Sequence, residues 1–263
     1  MELKIPDGLR ISPERLTGHL VRFIKKELES SGLSKLVLGV SGGIDSTVVA
    51  YLSAAAIGPA NVTGVVLPYA QSNPDNIKDA EMVISRLGLN RRHVDITPMI
   101  DAYFKDHPSD DLTRRGNKMA RERMSILYDI SAELGALVIG TSNKSEILMG
   151  YGTLFGDLAC ALNPLGNLYK TQLRQLAEHL GVPPRVMGKA PSADLWAGQT
   201  DEGELGLTYE MLDILLYQMV DRRLDSRKLE KLGFAADLIQ RVRDKIARNE
   251  FKRRLPRLAD LPG

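Results

Sequence analysis

Apolar positions along this chain switch repeatedly between two periods. Leu16, Leu20, Ile24 and Leu28 recur at helical spacing behind Ser12-Pro13-Glu14, an N-cap with proline at N1, and Gly32 ends the run. From Leu36 an unbroken apolar run of strand length stops at Ser41-Gly42-Gly43, and Asp45-Ser46 then open a helix over Thr47 to Ala56. Val62 to Pro68 reads as a second buried strand. A helix follows that starts at Asn73-Pro74, carries Ile77, Met82, Val83 and Leu87, and stops at Gly88. His93 to Ile96 makes a third strand. Residues 108–116 (PSDDLTRRG) are polar, charged and unpatterned, which predicts a mobile loop near a site. A long helix from Asn117 to Leu134 then precedes a fourth buried strand, Ala136 to Gly140.

In the second half, Tyr169 to Leu180 reads as a helix with Leu173, Leu176 and Leu180 inward, ended by Gly181-Val182-Pro183-Pro184. Residues 193–206 hold few core positions and predict a second mobile lid. Thr208 caps a helix that runs to about Arg222. Its stripe of Met211, Leu212, Leu215, Leu216 and Met219 fits either ordinary core or a face between subunits. A last helix, Ala235 to Asn249, leads into a basic tail ending in Phe251-Lys252-Arg253-Arg254. Strands that alternate with single helices predict an α/β fold, a doubly wound, mostly parallel sheet flanked by helices, with a helical C-terminal tail, and the length admits one large domain or two small ones.

Composition narrows the class. With 263 residues and 43% hydrophobic content the chain can fill a real core, and it shows neither repeats nor low-complexity tracts. A net charge of +2 leaves no global footprint of a nucleic-acid binder, and the basic tail reads first as a solvated helix face. The lone Cys160 excludes an internal disulfide and a zinc cluster of several thiolates, which fits a cytoplasmic protein. No run approaches the roughly 20 apolar residues of a membrane helix, and the N-terminus lacks a signal-peptide core.

The candidate chemistry sits where the first strand ends. In LVLGVSGGIDS, Gly42 and Gly43 let the backbone close around a ligand, and the first amides of the next helix point at that place without intrahelical partners, a setting for an anion. The turn is too short for a Walker A loop and lacks its lysine. Gly-Gly turns also join strands to helices with no ligand. Here Ser, Gly, Gly, Asp and Ser fall together at a strand's C-terminal end, where open α/β sheets bind ligands. Thr141, Asn143, Glu146, Gly150, Gly152 and Asp157 crowd the segment after the fourth strand, at the same sheet edge.

SGGIDS resembles the phosphate loop of the ATP pyrophosphatases, of the adenine nucleotide α hydrolase-like fold, which cleave ATP between the α and β phosphates. Together with GTSNKSE, GYGTLFGD, NPLGNLYKTQLRQLA, PSADLWAGQTDEGELGLTYEMLD and FKRRLP, it is similar to the ammonia-dependent NAD synthetases over nearly the whole chain. That resemblance implies ATP-dependent amidation of deamido-NAD by ammonia through an adenylated carboxylate. It implies that Gly39, Val40, Ser41, Gly42, Gly43, Ile44, Asp45 and Ser46 hold the ATP phosphates, that Thr141 and Ser192 contact ATP, and that Lys170 contacts the phosphates. Asp45 and Glu146 are the implied Mg²⁺ ligands, and Asp45 and Lys170 the implied catalytic pair. Arg121 and Lys252 match positions at the dinucleotide, with Asp157 a nearby polar candidate. Departures from the pattern cluster on the acceptor side: Leu154 stands where many members have a basic residue, Ala161 where they have aspartate, Phe251 where they have histidine. The family works as a homodimer with the dinucleotide near the interface, and the synthetase pattern leaves no room for a glutaminase domain. Two rivals share the loop: another adenylating ATP pyrophosphatase, such as a tRNA-modifying one, and an ATP-binding regulator without turnover.

Overall fold

The computed structural model describes residues 5–189, 206–254, 256 and 258–259. Helix α1 (Pro13–Ser30) leads into β1 (Lys35–Gly39), α2 (Ile44–Ile57), β2 (Val62–Val66), α3 (Pro74–Leu87), β3 (Asn90–His93), α4 (Thr97–Asp106), α5 (Leu112–Leu134) and β4 (Ala136–Val138). There follow α6 (Lys144–Met149), α7 (Lys170–His179), α8 (Pro184–Met187), α9 (Tyr209–Leu216) with a π-helical extension Tyr217–Asp221, α10 (Ser226–Lys231) and α11 (Ala236–Arg248).

The four strands form one parallel sheet in the order β3-β2-β1-β4. Successive strands step outward from β1 to β3, and the chain then crosses back to lay β4 on the other side of β1, so the strand order reverses beside β1. Alternation along β1 covers both faces. Leu36 and Leu38 join a core with α1, α2, α3 and α7, whereas Val37 joins Val65 and Val138 in a second core under α4 and α5. A third core gathers Met149, Tyr169 and the apolar residues of α9 and α11. Leu212, Leu215 and Leu216 are fully buried there, so most of the α9 stripe is core within this chain; Met211 alone of the five is exposed.

Two expected boundaries move. The third strand is Asn90–His93 rather than 93–96, because this edge strand is exposed along its whole length and carries no apolar signal. Val94 and Ile96 still donate to the carbonyls of Val66 and Pro68, which extends the backbone pairing past the strand. Residues 112–116 are the first turns of α5 and not loop: the Asp111 carboxylate accepts from the Arg114 amide at 3.1 Å and caps the helix. The expected lid lies almost wholly outside the described residues; of it only Gly206 is described.

Candidate active site

The turn after β1 is held from inside. Gly42 has φ +80°, and a Cβ there would meet the Asn76 carbonyl oxygen at 2.2 Å, so only glycine fits. The Ser46 hydroxyl accepts from the Ser41 amide at 3.2 Å and lies 3.2 Å from the Gly43 carbonyl, to which it donates. Thr47 donates to the same carbonyl at 2.8 Å. These bonds shape the turn while Gly43, at the N-cap of α2, offers no side chain to the first helical amides. The loop lines one wall of a cleft of about 600 Å³ at the C-terminal edge of the sheet, with Thr141, Glu146 and Lys170 across from it.

Charge concentrates at the junction of α2, α6 and α7. Lys170, at the first position of α7, is 2% exposed, and its ammonium donates to Asp45 Oδ2 at 2.5 Å and to Glu146 Oε1 at 3.3 Å. Asn143 donates from Nδ2 to Asp45 Oδ1 at 2.8 Å. Glu146 also closes a capping box on α6: its carboxylate accepts from the Asn143 amide, and its own amide donates to the Asn143 side chain. Neither carboxylate is a freely solvated side chain, since both are less than one-fifth exposed. A buried ammonium between two carboxylates is electrostatically matched.

Two carboxylate donors fit a hard divalent ion that fills its remaining positions with phosphate oxygens and water, which is how Mg²⁺ binds with nucleotides. No group of three or more His, Cys, Asp or Glu side chains suited to a metal occurs among the described residues.

Arg121, Asp157 and Lys252 converge elsewhere, on the segment Gly150 to Asp157. Lys252 donates from Nζ to the carbonyls of Gly150 and Gly152 at 2.8 and 2.9 Å, and Arg121 donates from Nε to the Leu154 carbonyl at 3.2 Å. Asp157 accepts from the Thr153 amide at 2.8 Å. Its side chain is exposed by accessible surface and lines the cleft, while the surrounding protein mass raises its carboxyl above the usual range despite those hydrogen bonds and the charge of Lys252. Burial lowers the Lys252 ammonium, with Arg121 adding to the effect and Asp157 opposing it. Phe155, in this segment, has φ +61° and a largely exposed ring.

Of the residues singled out from sequence, the structure joins Asp45, Glu146 and Lys170 directly and sets the phosphate loop and Thr141 around the same cleft. Arg121 and Lys252 do not line that cleft but brace the loop that does. Ser192 lies outside the described residues. Cys160 is half-buried, and burial pushes its thiol up, which does not suit a nucleophile. Two residues escaped the sequence reading. Lys189 lines the cleft, pairs with the buried Asp79 and donates to Asn76 at 2.6 Å, yet a single lysine after a helix gives no signal. Asp213 sits in the stripe Tyr209, Leu212, Asp213, Leu216, where an acid at an apolar position was a visible signal.

The NAD synthase family model matches residues 16–256. An NH(3)-dependent NAD(+) synthetase of Trichlorobacter lovleyi is 52% identical over 97% of this chain and 93% of its own length. Among solved structures, the NMN synthetase of Francisella tularensis superposes with a TM-score of 0.84 at 33% identity, covering 96% of this chain and 100% of that one. The NH3-dependent NAD synthetase of Campylobacter jejuni, in complex with nitrate, gives 0.82 at 34% identity over 95% of this chain and 100% of that one.

Proposed function

The chain belongs to the NAD synthase family, and on that premise we propose that it converts deamido-NAD, ATP and ammonia into NAD, AMP and pyrophosphate. The observation that carries this reading is the joining of Asp45, Glu146 and Lys170 beside the phosphate loop, at one end of a cleft whose other wall is the Gly150 to Asp157 segment. Neither a tRNA-modifying enzyme nor an idle ATP sensor is favoured, since the relatives at near-full coverage are NH(3)-dependent NAD(+) synthetases.

Ammonia does not displace oxide from an anionic carboxylate, so the acid must first carry a better leaving group. The nicotinate carboxylate attacks the α phosphorus of ATP, pyrophosphate departs, and the acyl adenylate then takes ammonia at its carbonyl carbon and releases AMP. Positioning and charge stabilisation dominate such a reaction. The amides after Gly43 face the departing pyrophosphate. Lys170, already desolvated, supplies a cation that costs little reorganisation. Asp45 and Glu146 would hold Mg²⁺, which when bound neutralises charge on the phosphates. Thr141 and Ser192 would contact ATP, and Arg121, Asp157 and Lys252 would hold the acceptor, the first and last through the loop they brace.

The remaining assignments stand on the resemblance: one synthetase domain over residues 1–263, ammonia as the nitrogen donor, a cytoplasmic location and a homodimer. No described helix is long and apolar enough to cross a membrane. Tyr103, Leu112 and Tyr128, exposed on α4 and α5, offer apolar surface for subunit contact.

A second reading of the acceptor has its own support, because the F. tularensis neighbour is an NMN synthetase. The nicotinate mononucleotide would then be amidated by the same chemistry. Product analysis decides: the pure protein with ATP, Mg²⁺ and ammonium is given either acid, and glutamine replaces ammonium in a parallel arm. NAD, AMP and pyrophosphate from the dinucleotide are expected. ADP and phosphate as products would defeat the mechanism, and faster turnover of the mononucleotide would move the acceptor.

A further inference from the structure

Asp213, on α9, is fully buried and does not line the cleft. Its two oxygens are nevertheless spent on the two helices that deliver the charged groups. Oδ1 accepts from the Ser145 hydroxyl at 2.5 Å, in the first turn of α6, and Oδ2 accepts from the Thr171 amide at 2.7 Å, in the first turn of α7. Ser145 completes the link by accepting from the Lys170 amide at 3.0 Å. Through the Thr171 amide the carboxylate satisfies a donor that the first turn of α7 leaves unpaired and meets the positive end of that helix, while its bond to the Ser145 hydroxyl ties α6 to the same group. Ser145 immediately precedes Glu146, and Thr171 immediately follows Lys170. Each atom held by Asp213 is thus one residue from a group that reaches Asp45 or faces the phosphate loop. Tyr209, one turn earlier on α9, places its ring 5.3 Å from the Lys170 ammonium.

We propose that Asp213 is a positioning residue of the ATP half-reaction, fixing the separation of Lys170 and Glu146 by clamping the first turns of α6 and α7. The proposal rests on the reading of Asp45, Glu146 and Lys170 given above. Burial lifts the Asp213 carboxyl to about 6, while its Ser145 and Thr171 bonds and the Lys170 charge pull it back, so it is ionised at neutral pH and accepts at both oxygens.

The test uses the full chain carrying Asp213→Asn or Ser145→Ala, with melting temperature, steady-state constants for each substrate, and MgATP affinity by calorimetry without acceptor. Asparagine offers one acceptor oxygen and presents an NH2 to the other donor. Asp213→Asn is expected to weaken MgATP binding about tenfold and lower kcat about 10- to 100-fold, with the KM for deamido-NAD within twofold. Ser145→Ala should move both in the same direction, and the double variant should be no worse than Asp213→Asn. A folded Asp213→Asn protein that keeps MgATP affinity and kcat within twofold overturns the proposal, as does equal weakening of both substrates. Where Asp213→Asn does not fold, unchanged MgATP affinity in Ser145→Ala overturns it. A parent protein that binds MgATP but makes no NAD would defeat the functional reading instead, and the calorimetric comparison would still stand.

Discussion

The two ends of the cleft are built on opposite plans. At the phosphate end, Lys170, Asp45, Glu146 and Asn143 come from three helices, are largely buried and satisfy one another at hydrogen-bond distance. At the other end, Arg121 and Lys252 brace a glycine-containing segment through its own carbonyls, and the exposed Phe155 ring stands on it. The first plan holds charges in place before a ligand arrives. The second shapes backbone, so its side chains act on a ligand through the loop they brace. A change at the phosphate end should cost rate, and a change at the other end should cost acceptor affinity.

The sharpest way to break that contrast is Asp45→Asn. Replacing one carboxylate of the pair removes charge, and on the proposed function a metal donor, from the site of adenylyl transfer, and kcat is expected to fall about 10³-fold. Stability also changes, because Asp45 is the nearer partner of a buried ammonium. Removing one partner of a buried pair costs about 3 to 5 kcal/mol, and Glu146 at 3.3 Å retains part of that, so a loss of about 2 kcal/mol is expected. Single-turnover rates and urea midpoints read the two effects separately. Parent-like turnover in a folded Asp45→Asn protein would remove the charged cluster from the mechanism.

Gly42→Ala tests the same end through the backbone. A left-handed conformation costs a non-glycine residue about 1 to 2 kcal/mol, and here the added carbon also meets the Asn76 carbonyl at 2.2 Å. Relief requires the loop or the start of α3 to shift by an ångström or more. A displacement of that size costs about 10²-fold in a positioned reaction, and kcat/KM for ATP is the quantity expected to fall, with the acceptor KM within twofold. A loop that tolerates alanine with unchanged ATP kinetics would mean that the turn does not cradle phosphate.

What could be read from the chain follows the same division. β1, β2 and β4 were legible because a strand buried on both faces is a near-continuous apolar run, and the loops leaving β1 and β4 carry small and acidic residues in dense order. β3 was not, since an exposed edge strand NRRH has no apolar pattern to find. α4 was passed over because its inward residues, Ile100 and Phe104, make too short a stripe to stand out. The start of α5 was hidden by its polarity, although Asp111 three residues before Arg114 is a cap in plain view. Burial of Lys170 could not be read locally at all. A lysine goes inside only where carboxylates distant in sequence meet it, here 125 and 24 residues away. Only the family resemblance pointed to it, whereas Asp213 advertised itself as an acid within an apolar stripe.

Lys252→Met probes the acceptor end, and its effect should be the smallest. The ammonium gives two hydrogen bonds, to the carbonyls of Gly150 and Gly152, and methionine keeps the length of the side chain while losing both. A hydrogen bond from a charged donor contributes about 1.5 to 3 kcal/mol when well buried, but Lys252 is only half-buried, and water can reach the freed carbonyls. The loop should loosen without unfolding. Removal of a cation beside Asp157 also leaves that carboxyl still less inclined to ionise, since the lysine charge is among the forces holding it down. Both changes act on the wall that the proposed function gives to the acceptor. The expected outcome is a five- to tenfold rise, in rough terms, of the acceptor KM, with ATP KM and kcat within twofold, measured by initial rates at saturating ammonium. If ATP kinetics moved and the acceptor KM did not, Lys252 would belong functionally to the phosphate end, and the division of the cleft into a half set by paired side chains and a half set by braced backbone would fail at the residue that best represents it.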